Sequence, residues 1–207
     1  MNKKILLCAA LFTGIFLTSI AGGTEKTIAN LKSAFKGELN ASVKYSAYAG
    51  QAKKEGLFRI ANMFEATSRA AQIHANNFKT VLEKLGQKPD LINPVVTPKS
   101  TSENLEDAIK GETNKRISMY PEYIATAKAE DAAGAAKAFR WAMETEKQRV
   151  AMYQKALTAM NAKKTESLPN VYWVCPKCGN TYDQVKPEAT CSYCSTKRDK
   201  FIKFTGR

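Results

Sequence analysis

The sequence predicts a mainly α-helical protein in which a four-helix bundle precedes a small C-terminal metal-binding module. Three observations support this fold class. Apolar residues recur at intervals of three and four between residues 24 and 162, as on amphipathic helices that share a core. A proline-rich segment divides this stretch into two halves. Beyond it, four cysteines occur as two Cys-x-x-Cys pairs near the C-terminus.

The predicted helices follow four apolar stripes, which run over residues 28–49, 60–85, 105–119 and 135–157. The segment 87–101, QKPDLINPVVTPKST, contains three prolines and predicts a long connection between the second and third helices. Two helical hairpins joined by one long crossover form a ferritin-like four-helix bundle.

Residues typical of helix ends surround these stripes. Helix N-caps are expected at Thr24 and Ser102, and helix stops at Gly56 and Gly86. A break at residues 130–134 separates the third helix from the fourth.

The two hairpins also repeat one another in sequence. GELNASVKY at residues 37–45 resembles GETNKRISMY at residues 111–120, which has one extra residue before its tyrosine. Equivalent helices in the two hairpins predict a pseudo-twofold axis along the bundle.

A polar linker at residues 163–170 leads from the bundle at 24–162 to a final segment at 171–207. That segment is too short to build a stable core by itself. Its cysteines predict a tetrahedral sulfur site for zinc or a single iron, whereas two disulfides are the alternative. Trp173 is expected to cover the metal. The four ligands are Cys175, Cys178, Cys191 and Cys194.

The N-terminal residues 1–21 have the basic start, apolar run and small-residue end of a secretory signal peptide. Cleavage after Ala21 would remove Cys8 and leave no stable membrane span. We therefore expect a periplasmic or secreted protein. The net charge is +13, but the basic residues are dispersed and no nucleic-acid-binding motif appears. A solvated basic surface without a nucleic-acid partner is expected.

The bundle and its W-x-C-x-x-C-G…C-x-x-C tail resemble rubrerythrins, from about Thr24 to Phe204. The resemblance is carried by KSAFKGELNASVKY, AKKEG, SENLEDAIKGE, MYPEY, AFRWAMETEKQR and WVCPKCG. It implies a ferritin-like bundle with a rubredoxin-like C-terminal domain. It also implies a non-haem iron protein with one iron at the four cysteines and a di-iron carboxylate site in the bundle. Many such proteins are homodimers that reduce hydrogen peroxide, with electrons passing from the single iron to the di-iron site, often across the dimer.

A di-iron bundle takes one Glu from each of two helices and a Glu-x-x-His from each of the other two. Glu38 and Glu112 match the first requirement. The first Glu-x-x-His motif retains only its histidine, His74, and the second retains only its acid, Glu146. The sequence therefore predicts a residual bundle site formed by these four residues.

Ala71 and Arg149 stand at the missing acid and histidine positions of the two motifs, and Lys115 stands where the resemblance implies a further glutamate. None of these three side chains binds a metal in its ordinary state. A normal di-iron centre is therefore not expected. Our hypothesis is that Lys115 and Arg149 are counter-charges that replace the metals. In one alternative both side chains extend to solvent. In another, one metal remains, held by His74 with Glu38 and either Glu112 or Glu146.

Tyr45 and Tyr120 occupy matching places in the two halves. Either they hydrogen-bond to a carboxylate, or they pack in the core with a satisfied hydroxyl. The predicted function is electron transfer through the cysteine-bound iron, with a separate redox partner and a lost or reduced bundle site. Two alternatives are a peroxide-reducing oxidoreductase with an altered di-iron site and a zinc-stabilised, non-redox binding protein.

Overall fold

The computed structural model describes residues 23–90 and 92–206, so the predicted signal peptide and Cys8 lie outside the described residues. The fold is mainly α-helical, as predicted, with a four-helix bundle and a small C-terminal domain. The bundle helices are α1 (Glu25–Lys54), α2 (Phe58–Lys84), α3 (Thr101–Asn114), α4 (Tyr120–Ala129) and α5 (Ala133–Asn161). None of the described helices is long and apolar enough to cross a membrane.

A π-helical segment, Lys115–Met119, joins α3 to α4, so that the two form one continuous arm of the bundle. This segment lies where GETNKRISMY has one residue more than its counterpart in α1. A π-helical turn accommodates one extra residue within an α-helix and is common at functional sites. The insertion is therefore absorbed locally, and Tyr120 keeps the position that Tyr45 has in the other half.

The helix ends follow the expected chemistry with one correction. Gly56 and Gly86 follow α1 and α2 with positive φ angles of 75° and 71°, which confirms both predicted stops. The predicted cap at Ser102 is wrong, because α3 begins two residues earlier. The Ser100 side chain accepts from the backbone N–H of Glu103, whose carboxylate accepts from the Ser100 backbone. This reciprocal capping box satisfies two N–H groups that would otherwise lack partners.

The bundle core consists of two apolar layers with a polar layer between them. One layer contains Tyr45, Phe64 and Tyr153, with ring centroids 5.5–6.1 Å apart. The other contains Phe78 and Phe139, whose centroids are 5.3 Å apart. The polar layer contains Glu38 of α1, His74 of α2 and Glu146 of α5. Along each of these helices, the residues on one side belong to one apolar layer and those on the other side belong to the second.

The C-terminal domain is a three-stranded antiparallel sheet of order β2-β1-β3. Its strands are β1 (Val171–Val174), β2 (Thr181–Tyr182) and β3 (Ile202–Thr205). Tyr182 stacks on Phe201 at a centroid distance of 5.2 Å, which gives this small domain an aromatic core.

Polar side chains of α2 attach the C-terminal domain to the bundle of the same chain. The Arg59 guanidinium donates to the carbonyl of Leu168, and the Asn62 amide donates to that of Asn170 at 3.1 Å. Nearer the cysteines, the Asn77 amide donates to the Lys177 carbonyl at 2.9 Å. These bonds hold the first Cys-x-x-Cys turn against α2.

Candidate metal centre and buried charge cluster

The four cysteines converge in the C-terminal domain. Their sulfur atoms all lie within 4.8 Å of one another. The Sγ atoms of Cys175 and Cys194 are 3.4 Å apart, and those of Cys178 and Cys191 are 3.5 Å apart. A disulfide bond is about 2.05 Å long, so neither pair is bonded. The edge of a tetrahedron of sulfurs around one ion is about 3.8 Å for a metal–sulfur distance of about 2.3 Å. The four side chains therefore fit a single tetrahedral metal ion.

Three fully buried glutamates form the centre of the polar layer, one each from α1, α3 and α5. Glu38, Glu112 and Glu146 each have no exposed surface. Three buried carboxylates without nearby cations would be strongly destabilising. Each therefore requires positive charge or hydrogen bonds within the bundle.

Lys115 supplies the first cation and points into this layer. Its side chain is 13% exposed, and its Nζ lies 2.5 Å from Glu38 Oε1, 3.0 Å from Glu146 Oε1 and 3.4 Å from Glu112 Oε1. One ammonium therefore contacts all three carboxylates. The buried carboxylates raise the pKa of Lys115 even though burial lowers it, so the side chain stays charged.

Arg149 supplies the second cation from α5. Its Nη2 lies 2.9 Å from Glu112 Oε2, 3.2 Å from Glu146 Oε1 and 3.9 Å from Glu38 Oε2. Its Nε also donates to Glu112 Oε2 at 3.2 Å, which makes a two-point contact with that oxygen. The side chain is completely buried. The alternative in which Lys115 and Arg149 extend to solvent does not match this arrangement.

Tyr45 and Tyr120 hydrogen-bond to carboxylates of the opposite half. The Tyr45 hydroxyl donates to Glu112 Oε1 at 2.5 Å, and the Tyr120 hydroxyl donates to Glu38 Oε1 at 3.2 Å. Both rings also belong to the apolar layers, so the two roles considered for them coexist.

The environment moves the three carboxyl pKa values in different directions. Burial alone would raise the pKa of Glu38, but Lys115 and His74 hold it well below its usual range. Burial likewise opposes ionisation of Glu112, but Arg149 and Lys115 lower the pKa of this carboxyl below its usual value. Burial raises the pKa of Glu146 well above its usual range, and the two cations only partly offset this effect.

Hydrogen-bond geometry explains why Glu146 differs from the other two. The cations lie 3.0 and 3.2 Å from its Oε1, but neither of its oxygens accepts a well-directed hydrogen bond from the described residues. When Glu146 is protonated and His74 is neutral, the ionised Glu38 and Glu112 face Lys115 and Arg149. Two negative charges then balance two positive charges.

His74 connects this charge cluster to the cysteine centre. Its Nδ1 lies 3.0 Å from Glu38 Oε2, and its Nε2 lies 3.1 Å from the Cys178 carbonyl oxygen and 3.0 Å from Thr145 Oγ1. Gly179 packs directly on the ring, because a Cβ at this position would lie 2.5 Å from Nε2. Both ring nitrogens are therefore engaged by protein atoms. Burial lowers the pKa of His74 although Glu38 favours its charged form.

The donor set can be compared with the requirements of bundle metals. Glu38, His74 and Glu146 place ligand atoms within 4.8 Å of one another, which is close enough for one ion. The nitrogens of Lys115 and Arg149 lie among the same carboxylates, so any bundle metal would sit beside fixed positive charge. A divalent ion about 4 Å from one such cation would be repelled by about 8 kcal/mol at an effective dielectric of about 20.

Comparison with known proteins agrees with this architecture. The Rubrerythrin family profile matches residues 29–157, which is more than half of the chain. The chain belongs to the rubrerythrin family. It is 34% identical over 174 residues to rubrerythrin-1 of Clostridium acetobutylicum, covering 82% of this chain and 89% of that protein. It is also 29% identical over 181 residues to nigerythrin of Nitratidesulfovibrio vulgaris, covering 86% of each chain.

Solved structures of nigerythrin share the fold of this rubrerythrin-family chain. The fully reduced, all-ferrous state aligns with a TM-score of 0.78 and 26% identity, covering 99% of this chain and 100% of the other. The mixed-valence state aligns with a TM-score of 0.77 and 28% identity over 86% of each chain. Rubrerythrins bind iron, which makes iron the metal to consider at the cysteine centre.

Two residues of this rubrerythrin site were not predicted from the sequence. Thr145 contacts His74 from α5, and Gly179 brings the cysteine turn against the imidazole. Thr145 immediately precedes Glu146 in the sequence, and Gly179 immediately follows Cys178, so each is next to a predicted ligand. The Thr145 contact depends on the packing of α5 against α2, and the Gly179 contact depends on the docking of the two domains. The spacing of residues within one helix encodes neither.

Proposed function

We propose that this rubrerythrin-family protein is an electron carrier with one iron at Cys175, Cys178, Cys191 and Cys194, and that Lys115 and Arg149 replace the bundle metals. When bound, the iron would supply a one-electron ferric/ferrous couple. The four cysteines would hold it, and the buried cluster would hold the helices together without catalysing a reaction. One observation carries the proposal. The ammonium of Lys115 lies 2.5–3.4 Å from all three bundle glutamates, in the space that bridging metals would need.

Metal content tests the proposal most directly. Protein produced with ample iron should contain one iron per chain and show the colour of an iron–thiolate centre. About three irons per chain would contradict it and favour the peroxide-reducing alternative. One zinc with no colour would favour the non-redox binding protein, because zinc has no accessible redox change.

The bundle proposal has a constructive test. The triple variant Ala71→Glu, Lys115→Glu, Arg149→His restores the carboxylate and imidazole types of a di-iron bundle and removes both cations. We expect it to bind additional iron, whereas the wild type binds iron only at the cysteines. Cys191→Ser in both backgrounds is the control, since the extra iron should remain when the cysteine centre is lost. Two bundle irons in the wild type would contradict the proposal.

A peroxide-reducing enzyme is the second candidate, and one observation favours it. Glu38, His74 and Glu146 form a group able to hold one ion. In that case, hydrogen peroxide should be consumed in proportion to bundle iron, and Glu38→Gln should abolish the reaction. Peroxide consumption that depends only on the cysteine iron would contradict this candidate.

Location and assembly are further parts of the proposal. We propose export of the chain, supported by the signal-peptide pattern of residues 1–21, and a homodimer, supported by family resemblance. Mass spectrometry of the mature protein should find Gly22 at its N-terminus. Light scattering should give twice the mature mass. An intact Met1 in an extracellular or periplasmic fraction would contradict cleavage.

A further inference from the structure

A groove lies where α5 meets the C-terminal domain. Its volume is about 500 Å³. Trp141 and Tyr193 provide aromatic surface, and Lys128, Lys137 and Arg140 provide positive charge. Glu144 is the only acidic residue among the side chains that line it in the described part of the chain. These six residues define what we call the basic groove.

The cations of the basic groove are available to a partner. Lys128, Lys137 and Arg140 are exposed, and none of them has an ion pair with another described residue. The Lys137 ammonium lies 4.9 Å from the centroid of the Trp141 ring, and that of Lys177 lies 6.0 Å away. The lysines thus stand around an aromatic platform instead of neutralising acids of the same molecule.

The aromatic side of the groove adjoins the cysteine centre. Trp141 and Tyr193 both pack against the apolar cluster that contains Cys175, Cys178 and Cys191. Tyr193 is also the neighbour of Cys194, which is partly exposed while the other three cysteines are buried. The groove therefore lies beside the most accessible edge of the metal site.

We propose that the basic groove docks an acidic, one-electron carrier protein that exchanges electrons with the cysteine-bound iron. This inference rests on the proposed function. The partner would lose one electron, and the ferric ion would gain it to become ferrous, with no proton or group transferred. Aromatic residues and arginine are enriched at the centres of protein interfaces, and complementary charge around them raises association rates. A protein with a carboxylate-rich rim around its own redox centre matches this combination.

Binding is measured with the full-length mature protein loaded with zinc, so that the result does not depend on electron transfer. The probe is a plant-type [2Fe–2S] ferredoxin, an acidic carrier with a reduction potential of about −400 mV. Calorimetric titration at about 10 mM and about 150 mM ionic strength should show much tighter binding at low salt, since the Debye length falls from about 30 Å to about 8 Å.

Charge-reversal variants locate the surface. Lys137→Glu/Arg140→Glu should weaken binding about tenfold or more at low salt, a change of about 1.4 kcal/mol or more. The matched control is Lys54→Glu/Lys110→Glu, which changes the net charge equally at exposed sites outside the groove. Equal losses in both double variants would overturn the inference, because net charge alone would then explain binding. Groove-dependent binding of duplex DNA or anionic vesicles, without ferredoxin binding, would also overturn it.

Electron transfer is measured separately on the iron-loaded protein. Reduced ferredoxin should bleach the iron–thiolate absorbance quickly in the wild type and at least about tenfold more slowly in the groove variant at low salt. Reduction by a small neutral flavin should be the same in both. Docking without reduction would uphold the groove and refute the carrier function. Flavin reduction of the iron without any ferredoxin docking would uphold the carrier function and refute the groove.

Discussion

Arg149 is the largest fully buried side chain among the described residues, and it has two glutamates within 3.2 Å of Nη2. A charge placed so deep is tolerated only with compensating partners. Arg149 stands where the Glu-x-x-His motif of a di-iron bundle has a histidine. Its guanidinium places a fixed positive charge beside the buried glutamates.

Replacing Arg149 with methionine removes this charge while keeping a long apolar side chain. Glu112 would lose a two-point contact and remain buried, so the free energy of unfolding should fall by about 3–5 kcal/mol. Urea unfolding measures the change. Arg140→Met, on an exposed position of the same helix, should stay within about 0.5 kcal/mol. A loss at Arg149 as small as the control loss would show that the cluster does not depend on this charge.

Glu146 should respond to pH in the opposite sense from Glu112. The pKa of Glu146 is raised above its reference of 4.5, so the native state retains a proton that the unfolded state releases. Its contribution to stability is complete below about pH 4.5 and is lost as the pH rises toward the folded pKa. The free energy of unfolding of Glu146→Gln should therefore rise relative to that of the wild type, by up to about 1.4 kcal/mol for each pH unit above pH 4.5.

Glu112→Gln is the matched control for this titration. The pKa of Glu112 is lowered, so its stabilisation is present above about pH 4.5 and is lost as the pH falls through the folded pKa. This variant should be less stable than the wild type at neutral pH, and the difference should shrink in acid. Urea unfolding at a series of pH values tests both. Parallel curves for the two variants would contradict the assignment of different ionisation states.

At the scale of elements, α2 packs closely against the first cysteine turn. Gly179 has a φ of 76°, and its missing Cβ leaves room for the His74 ring. Gly179→Ala should lower the free energy of unfolding, because an alanine is strained in the left-handed conformation and because its Cβ would clash with the His74 ring. The clash alone should contribute about 1–3 kcal/mol.

Gly86→Ala isolates the backbone part of that cost. Its φ of 71° is similar, but nothing lies within 4 Å of the added Cβ. Urea unfolding, together with hydrogen exchange at the cysteine turn, should show faster local opening only for Gly179→Ala. Equal effects of the two substitutions would mean that His74 moves aside and does not hold the turn.

The joint between α3 and α4 shows how far local pattern extends. The apolar spacing of residues 105–119 indicates one helix, and the repeat shows one extra residue before Tyr120. The sequence does not indicate how the chain absorbs that residue. A bulge, a kink and a π-helical turn are all compatible with the apolar spacing of this segment. The π turn at Lys115–Met119 brings Tyr120 to Glu38, and that contact is a tertiary one.

At the scale of the whole molecule, we expect the stability of the C-terminal domain to depend on a bound metal and that of the bundle not to. The domain is too small for a stable core of its own, so metal binding supplies folding free energy. Removing the metal with a chelator should abolish hydrogen-exchange protection in β1 and β2, while α1 and α5 stay protected. Cys191→Ser should reproduce this result and the exposed Ser192→Ala should not. Simultaneous loss of protection in the bundle would show that the two parts fold as one unit.

The sequence by itself determined the helical class, the two hairpins, the two Cys-x-x-Cys pairs and the residue types at the positions that match the family's bundle ligands. These follow from periodicity and spacing, which act over a few residues. Only the tertiary structure decided that Lys115 and Arg149 point inward and that His74 meets Cys178 of its own chain. Long side chains at the same helical positions reach either water or the core. The choice depends on the balance between desolvation and attraction to the carboxylates that α1, α3 and α5 bring together.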